Sequence, residues 1–192
     1  MIAILKYNAG NVASVENAIN RLGYETVVTD DAFVLKSAAK VIFPGVGEAG
    51  SAMKYLKEKG LDKVIKSLTQ PVLGICLGMQ LLCEHSEESD TEALGIFKTK
   101  VMRFPPKDLV PHTGWNNFIS VKGKLFENIQ PESDCYFVHA YYAGISEETI
   151  AITDYILPFS AAMQKDNFYA TQFHPEKSAQ TGLQILLNFL NV

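Results

Sequence analysis

Short apolar runs and amphipathic stretches alternate along the first half of the chain. The apolar or β-rich runs have the length of buried strands and lie at 2–5, 24–29, 41–43 and 72–75. Between and after them, apolar residues recur at helical spacing, over 12–22, 48–59, 62–68 and 77–84. Asn11 is placed to cap the first of these helices. The alternation predicts successive β–α units whose strands pair in parallel.

From about Gly95 onward, strand-like runs replace the helical ones. Predicted strands lie at 98–104, 118–121, 136–142, 149–155 and 159–164, with proline-containing loops between them. One last amphipathic helix is predicted over 179–190. We therefore expect an α/β fold with a mixed central sheet, its parallel part first and an antiparallel, strand-rich second half, in a single domain over residues 1–192.

Composition narrows the class of protein. The chain has 192 residues, of which 47% are hydrophobic and 20% charged, as in ordinary globular proteins. Its net charge of -4 and scattered basic residues predict no nucleic-acid partner. No apolar run reaches the roughly 20 residues of a membrane span. The N-terminal residues 1–6 lack the basic leader of a secretory signal, so we expect a cytoplasmic protein.

Two of the cysteines and two of the histidines are expected to have structural or surface roles. Three cysteines without paired spacing argue against a disulfide framework or a zinc cage, and Cys83 and Cys135 are expected to be small core residues. His85 and His112 have no assigned acid or nucleophile beside them. The acidic stretch 84–92 is predicted to be a solvated surface loop.

Cys76 lies between two glycines where a predicted strand meets a predicted helix. The run 74–78 reads Gly-Ile-Cys-Leu-Gly, the context of a nucleophile elbow with Cys in place of Ser. So sharp a turn strains the backbone and leaves no room for large flanking side chains. The helix N-terminus also favours the reactive thiolate. A lone cysteine is usually a core residue, but the bracketing glycines favour a nucleophile.

His174 and Glu176 follow the predicted end of another strand, at 171–173. A thiolate nucleophile needs a base that protonates the leaving group, and that base needs an acceptor that orients it. The two side chains can face each other through the turn at Pro175. A surface His beside a surface Glu is the alternative, but the position at a strand end favours a Cys-His-Glu triad.

The glycine turn at 44–47 can offer backbone N–H groups to a tetrahedral oxyanion, because glycine lets peptide planes turn inward. Taken alone, such a turn after a strand is a weak motif. A phosphate-binding role is not favoured, since neither G-x-G-x-x-G nor a P-loop lysine is present.

Together these residues resemble the class I, triad-type glutamine amidotransferases. Within that family the chain is most similar to the glutaminase subunits of imidazole glycerol phosphate synthases. The similarity covers essentially the whole chain, with its most specific runs at 44–47, 74–80, 111–116, 136–142 and 172–178. It implies a flavodoxin-like, three-layer fold with a mainly parallel central sheet.

The resemblance implies a reaction and its site residues. Cys76 would attack the side-chain amide of L-glutamine, His174 would protonate the departing ammonia and later activate water, and Glu176 would hold the imidazole. The implied oxyanion residues are Gly45, Val46, Gly47 and Leu77, and the implied substrate-binding residues are Gln80, His139, Ala140 and Tyr141. No cofactor and no metal are expected.

A partner protein is implied as well. Ammonia would pass to a (βα)8-barrel cyclase subunit, and the heterodimer would make imidazole glycerol phosphate and an aminoimidazole carboxamide ribonucleotide in histidine biosynthesis. The implied interface residues are Asn11, Trp115, Tyr136 and Lys177. Core packing of the aromatics and a solvated lysine are the alternatives. The chain alone is expected to be nearly idle, because its glycine turn can rotate into non-productive conformations.

One segment departs from the family pattern. Residues 6–11 read Lys-Tyr-Asn-Ala-Gly-Asn, with Lys and Asn where the family usually has an acidic residue and Gly. A changed partner is therefore an alternative, namely the cyclase of a paralogous pathway that installs amidino groups on surface sugars. Three further alternatives are a catalytically silent partner subunit, the glutaminase of pyridoxal phosphate synthesis, and a cysteine hydrolase of another acyl substrate.

Overall fold

The computed structural model describes residues 1–8 and 11–192 of the chain. Its strands are β1 (Ile2–Leu5), β2 (Thr26–Thr29), β3 (Lys40–Phe43), β4 (Val72–Ile75), β5 (His85–Ser86), β6 (Thr91–Glu92), β7 (Lys100–Arg103), β8 (His112–Asn116), β9 (Ser120–Val121), β10 (Cys135–His139), β11 (Tyr141–Ala143), β12 (Thr149–Asp154), β13 (Pro158–Lys165) and β14 (Phe168–Thr171). The α-helices are α1 (Val12–Arg21), α2 (Ala32–Ser37), α3 (Ala49–Glu58), α4 (Leu61–Lys66), α5 (Leu77–Leu82) and α6 (Ala179–Asn191). Short 3-10 turns occupy Glu88–Asp90, Lys124–Phe126 and Pro175–Lys177. Ala9 and Gly10, in the segment that departs from the family pattern, lie outside the described residues.

An eight-stranded sheet forms the centre of the described structure, in the order β2-β1-β3-β4-β14-β13-β12-β9. The strands from β2 to β14 in this order pair in parallel. β13, β12 and β9 extend the sheet by antiparallel pairing. The prediction of a mixed sheet with its parallel part first and an antiparallel second half is confirmed.

The central sheet separates two hydrophobic cores. On β1, Ile2 and Ile4 enter one core, which also holds apolar residues of α1 and α6. Ala3 and Leu5 enter the other, which holds residues of α2, α3, α4 and α5. Successive side chains of a strand point to opposite faces, so a fully apolar strand needs cover on both sides. The three-layer α/β architecture follows from this pattern.

Some element boundaries differ from the sequence-based expectations. The predicted strand 136–142 is wrong as a single element, because β10 pairs with β8 and β11 with β7, in different sheets. Between them the carbonyl of Ala140 accepts from the Phe104 amide, at 3.1 Å. Of the predicted strand 118–121, Ser120 and Val121 alone are strand. α2 and β8 were not predicted, and Asn11 precedes α1 without a side-chain cap.

Helix α5 packs directly on the backbone of the sheet. A Cβ on Gly78 would overlap the carbonyl oxygen of Phe43 at the end of β3. A Cβ on Gly74 would come within 2.8 Å of Leu82 Cδ1 and 3.0 Å of the Gly78 carbonyl. Glycine at these two places is what lets the helix begin immediately after β4. Among the described residues, no helix combines the length and apolarity that crossing a membrane would require.

A Gly78→Ala variant should lose stability because backbone atoms of β3 cannot move aside for the new methyl group. We expect the free energy of unfolding to fall by about 1–3 kcal/mol or more, measured by urea denaturation. Lys63→Ala, on an exposed position of α4, is the control and should change stability by less than about 0.5 kcal/mol. Equal stability of the two variants would contradict the close packing of α5.

Candidate active site

Cys76 forms the sharp turn between β4 and α5. Its backbone has φ 52° and ψ -106°, a strained conformation for a residue with a side chain. The side chain is 7% exposed and lies at the edge of a cavity. The helix that follows presents its N-terminal end to the sulfur, as the elbow geometry predicts.

The register between β4 and β14 places the second catalytic segment beside Cys76. Thr171 pairs with Ile75 in parallel, and its carbonyl accepts a 2.7 Å hydrogen bond from the Cys76 amide. Both strands therefore end at the same carboxyl edge of the sheet, where active sites of such sheets lie. The next residue, Gln172, is fully buried, and its Nε2 donates to Cys76 Sγ at 3.6 Å.

His174 and Glu176 form a buried pair. His174 Nδ1 lies 2.8 Å from Glu176 Oε1, and each side chain is 1% exposed. Two contacts hold this segment in place: the His174 amide donates to the Tyr136 carbonyl at 2.9 Å, and Ser178 Oγ donates to the His174 carbonyl at 2.6 Å. The other ring nitrogen, Nε2, is buried with no hydrogen-bond partner among the described residues. The ring is thus oriented by Glu176 through Nδ1, and its Nε2 is not engaged in another hydrogen bond within the part of the chain that the structure describes.

The charge state of His174 is set by opposing effects. Burial alone lowers its pKa, but the nearby Cys76 sulfur and the Glu176 carboxylate outweigh burial and raise the pKa to about 10. The imidazolium is therefore the stable form at neutral pH, ready to give a proton. Because the folded-state pKa exceeds the usual 6.5, the pair stabilises the fold most below pH 6.5 and loses that contribution as pH rises towards 10.

The glycine turn after β3 lies against the start of α5. The Leu77 amide donates to the Gly45 carbonyl at 3.3 Å. In a trans peptide the C=O and N–H point in opposite directions, so the Val46 N–H points away from Leu77. Gly47 has φ 131°, which strongly favours glycine. A carbonyl oxygen thus occupies the place that an oxyanion would need.

Tyr7 holds the start of this turn. Its hydroxyl donates to the Pro44 carbonyl at 2.5 Å, and its ring packs against Phe43 with centroids 5.3 Å apart. Burial, together with the charge of Cys76, raises the pKa of Tyr7 far above its ordinary value, so the phenol keeps its proton. A Cβ on Gly45 would overlap this hydroxyl. A residue with a side chain therefore does not fit at position 45, between Tyr7 and Leu77.

A cavity of about 310 Å³ opens over Cys76. It is lined by Val46, Gly47, Cys76, Leu77, Gln80, Glu88, Pro111, Val138, His139, Ala140 and Tyr141. The structure thus brings together all four residues expected to bind substrate and three of the four expected in the oxyanion site. His174, Glu176 and Gly45 are not among the lining residues.

Glu88 corrects the expectation that 84–92 is a solvated loop. The segment contains β5, β6 and a 3-10 turn, and Glu88 turns towards the cavity. Its Oε2 accepts from the Ala49 amide at 2.8 Å, at the start of α3. Burial and the neighbouring Glu48 raise the pKa of Glu88, while the Ala49 amide opposes the shift. The sequence showed several acids here but not which one enters the cavity.

Gln172 is a second residue whose role was missed. It lies within the run 172–178, and its position beside a strand end was the available signal. Its Oε1 accepts from Gln80 Nε2 at 3.1 Å, and the same Gln80 nitrogen donates to the Tyr141 carbonyl at 3.0 Å. Gln172 therefore contacts both Cys76 and a residue that lines the cavity.

The residues expected at the partner interface are exposed or half-buried. Trp115 is 55% exposed, and its ring lies edge-on to that of Tyr136, with centroids 5.9 Å apart. Lys177 is exposed next to Glu176, and Asn11 is half-buried before α1. The two aromatics are on paired positions of β8 and β10. Trp115 is thus not a core residue.

Comparison with known proteins agrees with the resemblance. The family model described as Glutamine amidotransferase class-I matches residues 4–192. The chain is 58% identical, over 100% of its length and 99% of the relative's, to the imidazole glycerol phosphate synthase subunit HisH of Bacteroides fragilis strain YCH46. It is 47% identical to the HisH subunit of Haemophilus influenzae strain Rd, over 98% of this chain and 96% of that one.

Solved structures share the fold. The structure of PurLQS from Thermotoga maritima has a TM-score of 0.76 at 15% identity, covering 99% of this chain and 97% of that one. A crystal structure of a glutamine amidotransferase gives a TM-score of 0.75 at 19% identity, with coverages of 99% and 97%. The predicted class I fold is thereby confirmed.

Removal of the Cys76 sulfur should lower the pKa of His174, because the sulfur is one of the groups that raise it. In Cys76→Ala we expect the imidazole to titrate well below the value of about 10 in the unmodified chain, followed by NMR of the ring nuclei. Cys83→Ala, at a buried position in the core, should leave the titration unchanged. An unaltered His174 pKa in Cys76→Ala would show that the two groups do not interact.

Proposed function

Since the chain belongs to the class-I glutamine amidotransferase family, we propose that it acts as the glutaminase subunit of an imidazole glycerol phosphate synthase. The site observation that carries this proposal is a strained cysteine at the edge of a cavity, beside a buried His174–Glu176 pair. The full-length relatives named above support the histidine-pathway role. Their names favour it over the sugar-modifying and pyridoxal phosphate alternatives.

In the first half of the reaction, the Cys76 thiolate adds to the side-chain amide carbon of glutamine. The tetrahedral intermediate then collapses, the C–N bond breaks, and His174 Nε2–H protonates the nitrogen so that ammonia leaves. A γ-glutamyl thioester remains on Cys76. The neutral His174 then takes a proton from water as it attacks the thioester, and glutamate departs. Glu176 holds the ring in position throughout.

The turn at 44–47 must change before this chemistry can be fast. The oxyanion of the tetrahedral intermediate needs N–H donors, but the Leu77 amide is bound to the Gly45 carbonyl. Rotation of the single peptide between Gly45 and Val46 would remove that carbonyl and bring the Val46 N–H to the same place. Glycines at 45 and 47 make such a rotation sterically open. We assign the state described here to the resting enzyme.

Glutamine binding uses the cavity lining. The backbone of His139–Tyr141 and the Gln80 side chain can hold the amino-acid part of the substrate. Glu88 supplies a carboxylate in the same cavity, which suits the positive α-ammonium group of glutamine. The proposed recognition thus combines backbone groups with a single acidic side chain.

The partner in this proposal is a (βα)8-barrel cyclase subunit that receives the ammonia. Trp115, Tyr136, Lys177 and Asn11 are assigned to the contact with it. Trp115 is exposed, and it pairs with Tyr136, whose carbonyl binds the His174 amide. This position close to the proposed triad supports the assignment. The cytoplasmic location and the single domain over 1–192 belong to the same proposal.

Cys76→Ala should abolish glutamine hydrolysis, because no other group in the cavity can form the thioester. Glutamate release would be measured with the cyclase and its nucleotide substrate present, and complex formation by gel filtration. We expect activity to fall by at least about 10⁴-fold with the complex intact. Cys83→Ala should retain activity. Hydrolysis by Cys76→Ala would refute the nucleophile assignment.

Glu88→Gln should raise the KM for glutamine more than it lowers kcat, because it removes the charge proposed to face the α-ammonium group. A charge-assisted hydrogen bond of about 1.5–3 kcal/mol corresponds to a KM increase of roughly 10- to 100-fold. Glu84→Gln, an exposed acid of the same segment, serves as the matched control. Equal KM values for the two variants would remove Glu88 from the binding site.

A further inference from the structure

Two buried histidines outside the proposed triad are part of a series of hydrogen bonds, the imidazole chain, that ends at the cavity over Cys76, which we call the glutamine cavity. His139 Nδ1 lies 2.7 Å from the Tyr141 carbonyl, and His139 Nε2 lies 3.0 Å from His112 Nδ1. At the other end, His112 Nε2 lies 3.3 Å from Asn116 Nδ2, which also donates to the Asp154 carbonyl at 3.0 Å. The chain therefore begins and ends at backbone carbonyl groups.

The Tyr141 and Asp154 carbonyls determine which atom donates in each hydrogen bond between them. The Tyr141 carbonyl requires a proton on His139 Nδ1, so the Nε2 atom of the neutral ring is an acceptor. His112 Nδ1 must then donate to it, and His112 Nε2 must accept. Asn116 Nδ2 supplies that donor, as its contact with the Asp154 carbonyl independently requires. A proton added to either ring would place two donors face to face.

Packing holds both rings neutral and fixed. The His112 ring is stacked between Tyr155 and Phe137, with centroids 4.1 Å and 4.9 Å away. Both histidine side chains are at most 5% exposed. Burial is the largest cause that lowers the pKa of His112 to about 4 and that of His139 to about 3. The protonation that would break the chain is therefore disfavoured at neutral pH.

The end at Tyr141 is part of the glutamine cavity. The same carbonyl that accepts from His139 accepts from Gln80 Nε2. Tyr141, His139 and Gln80 all line the cavity. β10 and β11 belong to different sheets, and the Phe104 amide holds the Ala140 carbonyl between them. The imidazole chain adds a second support, from the side of β10, at the Tyr141 carbonyl.

We propose that His112 is a positioning residue for glutamine binding. It acts through His139 to hold the Tyr141 carbonyl, and with it the Gln80 side chain, in the arrangement that receives the substrate. The inference rests on the proposed glutaminase function. It assigns His112 no contact with substrate, and it predicts an effect on KM rather than on the chemical step.

The test compares two amide variants of the same residue in the complete complex with the cyclase. In His112→Asn the amide nitrogen can take the place of Nδ1 and still donate to His139. In His112→Gln the side-chain amide takes the place of Nε2, where its oxygen can accept from Asn116 Nδ2, but His139 Nε2 is left without a donor. We expect the glutamine KM to rise about 5- to 20-fold in His112→Gln and to stay within about 3-fold in His112→Asn. The kcat should change by less than about 3-fold in both.

A purely structural role would give a different result. The two variants would then show the same KM, whether raised or unchanged, and either outcome overturns the proposal. Lys63→Ala, at an exposed position of α4 outside the cavity lining, should behave as the unmodified enzyme. If the unmodified complex released no glutamate at all, the proposed function itself would fail, which is distinguishable from a failure of the His112 inference alone.

A measurement on the unmodified chain does not depend on the folding of any variant. Nitrogen NMR of the imidazole rings reports which ring nitrogen carries the proton. We expect His112 and His139 both to be neutral and protonated on Nδ1 at pH 7. A proton on Nε2 of His139 would contradict the direction of the hydrogen-bonded chain and overturn the proposal.

Discussion

The close approach of α5 to the backbone of the sheet is the constraint on which the site depends. Because Gly78 lies against the Phe43 carbonyl and Gly74 against α5, the chain must turn within one residue, and that residue is Cys76. The turn lifts the sulfur to the carboxyl edge of β4. Parallel pairing of β4 with β14 brings the segment of His174 to the same edge. The proposed triad is therefore a consequence of two packing contacts and one strand register.

The same close packing around α5 explains why the described site lacks donors for an oxyanion. The Gly45 carbonyl fills the space beside the Leu77 amide, while Tyr7 holds the preceding carbonyl of Pro44. Cys76 and His174 can both be in place without a donor pair for the oxyanion. In an enzyme that delivers ammonia to a second subunit, such a resting state limits the waste of glutamine. The glycines of the turn leave a single peptide rotation as the route to the active state.

Much of the fold and of the proposed site could be predicted from the sequence, and the exceptions have physical reasons. The elbow and the Phe-His-Pro-Glu run are local patterns with strict steric requirements, so their positions were clear, and the alternation of apolar runs indicated the sheet. Glu88 could not be selected among neighbouring acids, because its entry into the cavity depends on the fold of 84–92 around α3. Likewise, the break at Ala140 separates two runs that both look like strand. The pairing of His112 with His139 arises from the register of β8 and β10, which no local pattern encodes.

The most direct test of the account is glutamate release from glutamine by the purified chain, alone and with the cyclase and its nucleotide substrate. Missing oxyanion donors typically reduce turnover by about 10²- to 10³-fold each. We expect slow release by the chain alone and a rise of at least about 100-fold with the cyclase. Fast release by the isolated chain, unchanged by the cyclase, would contradict it.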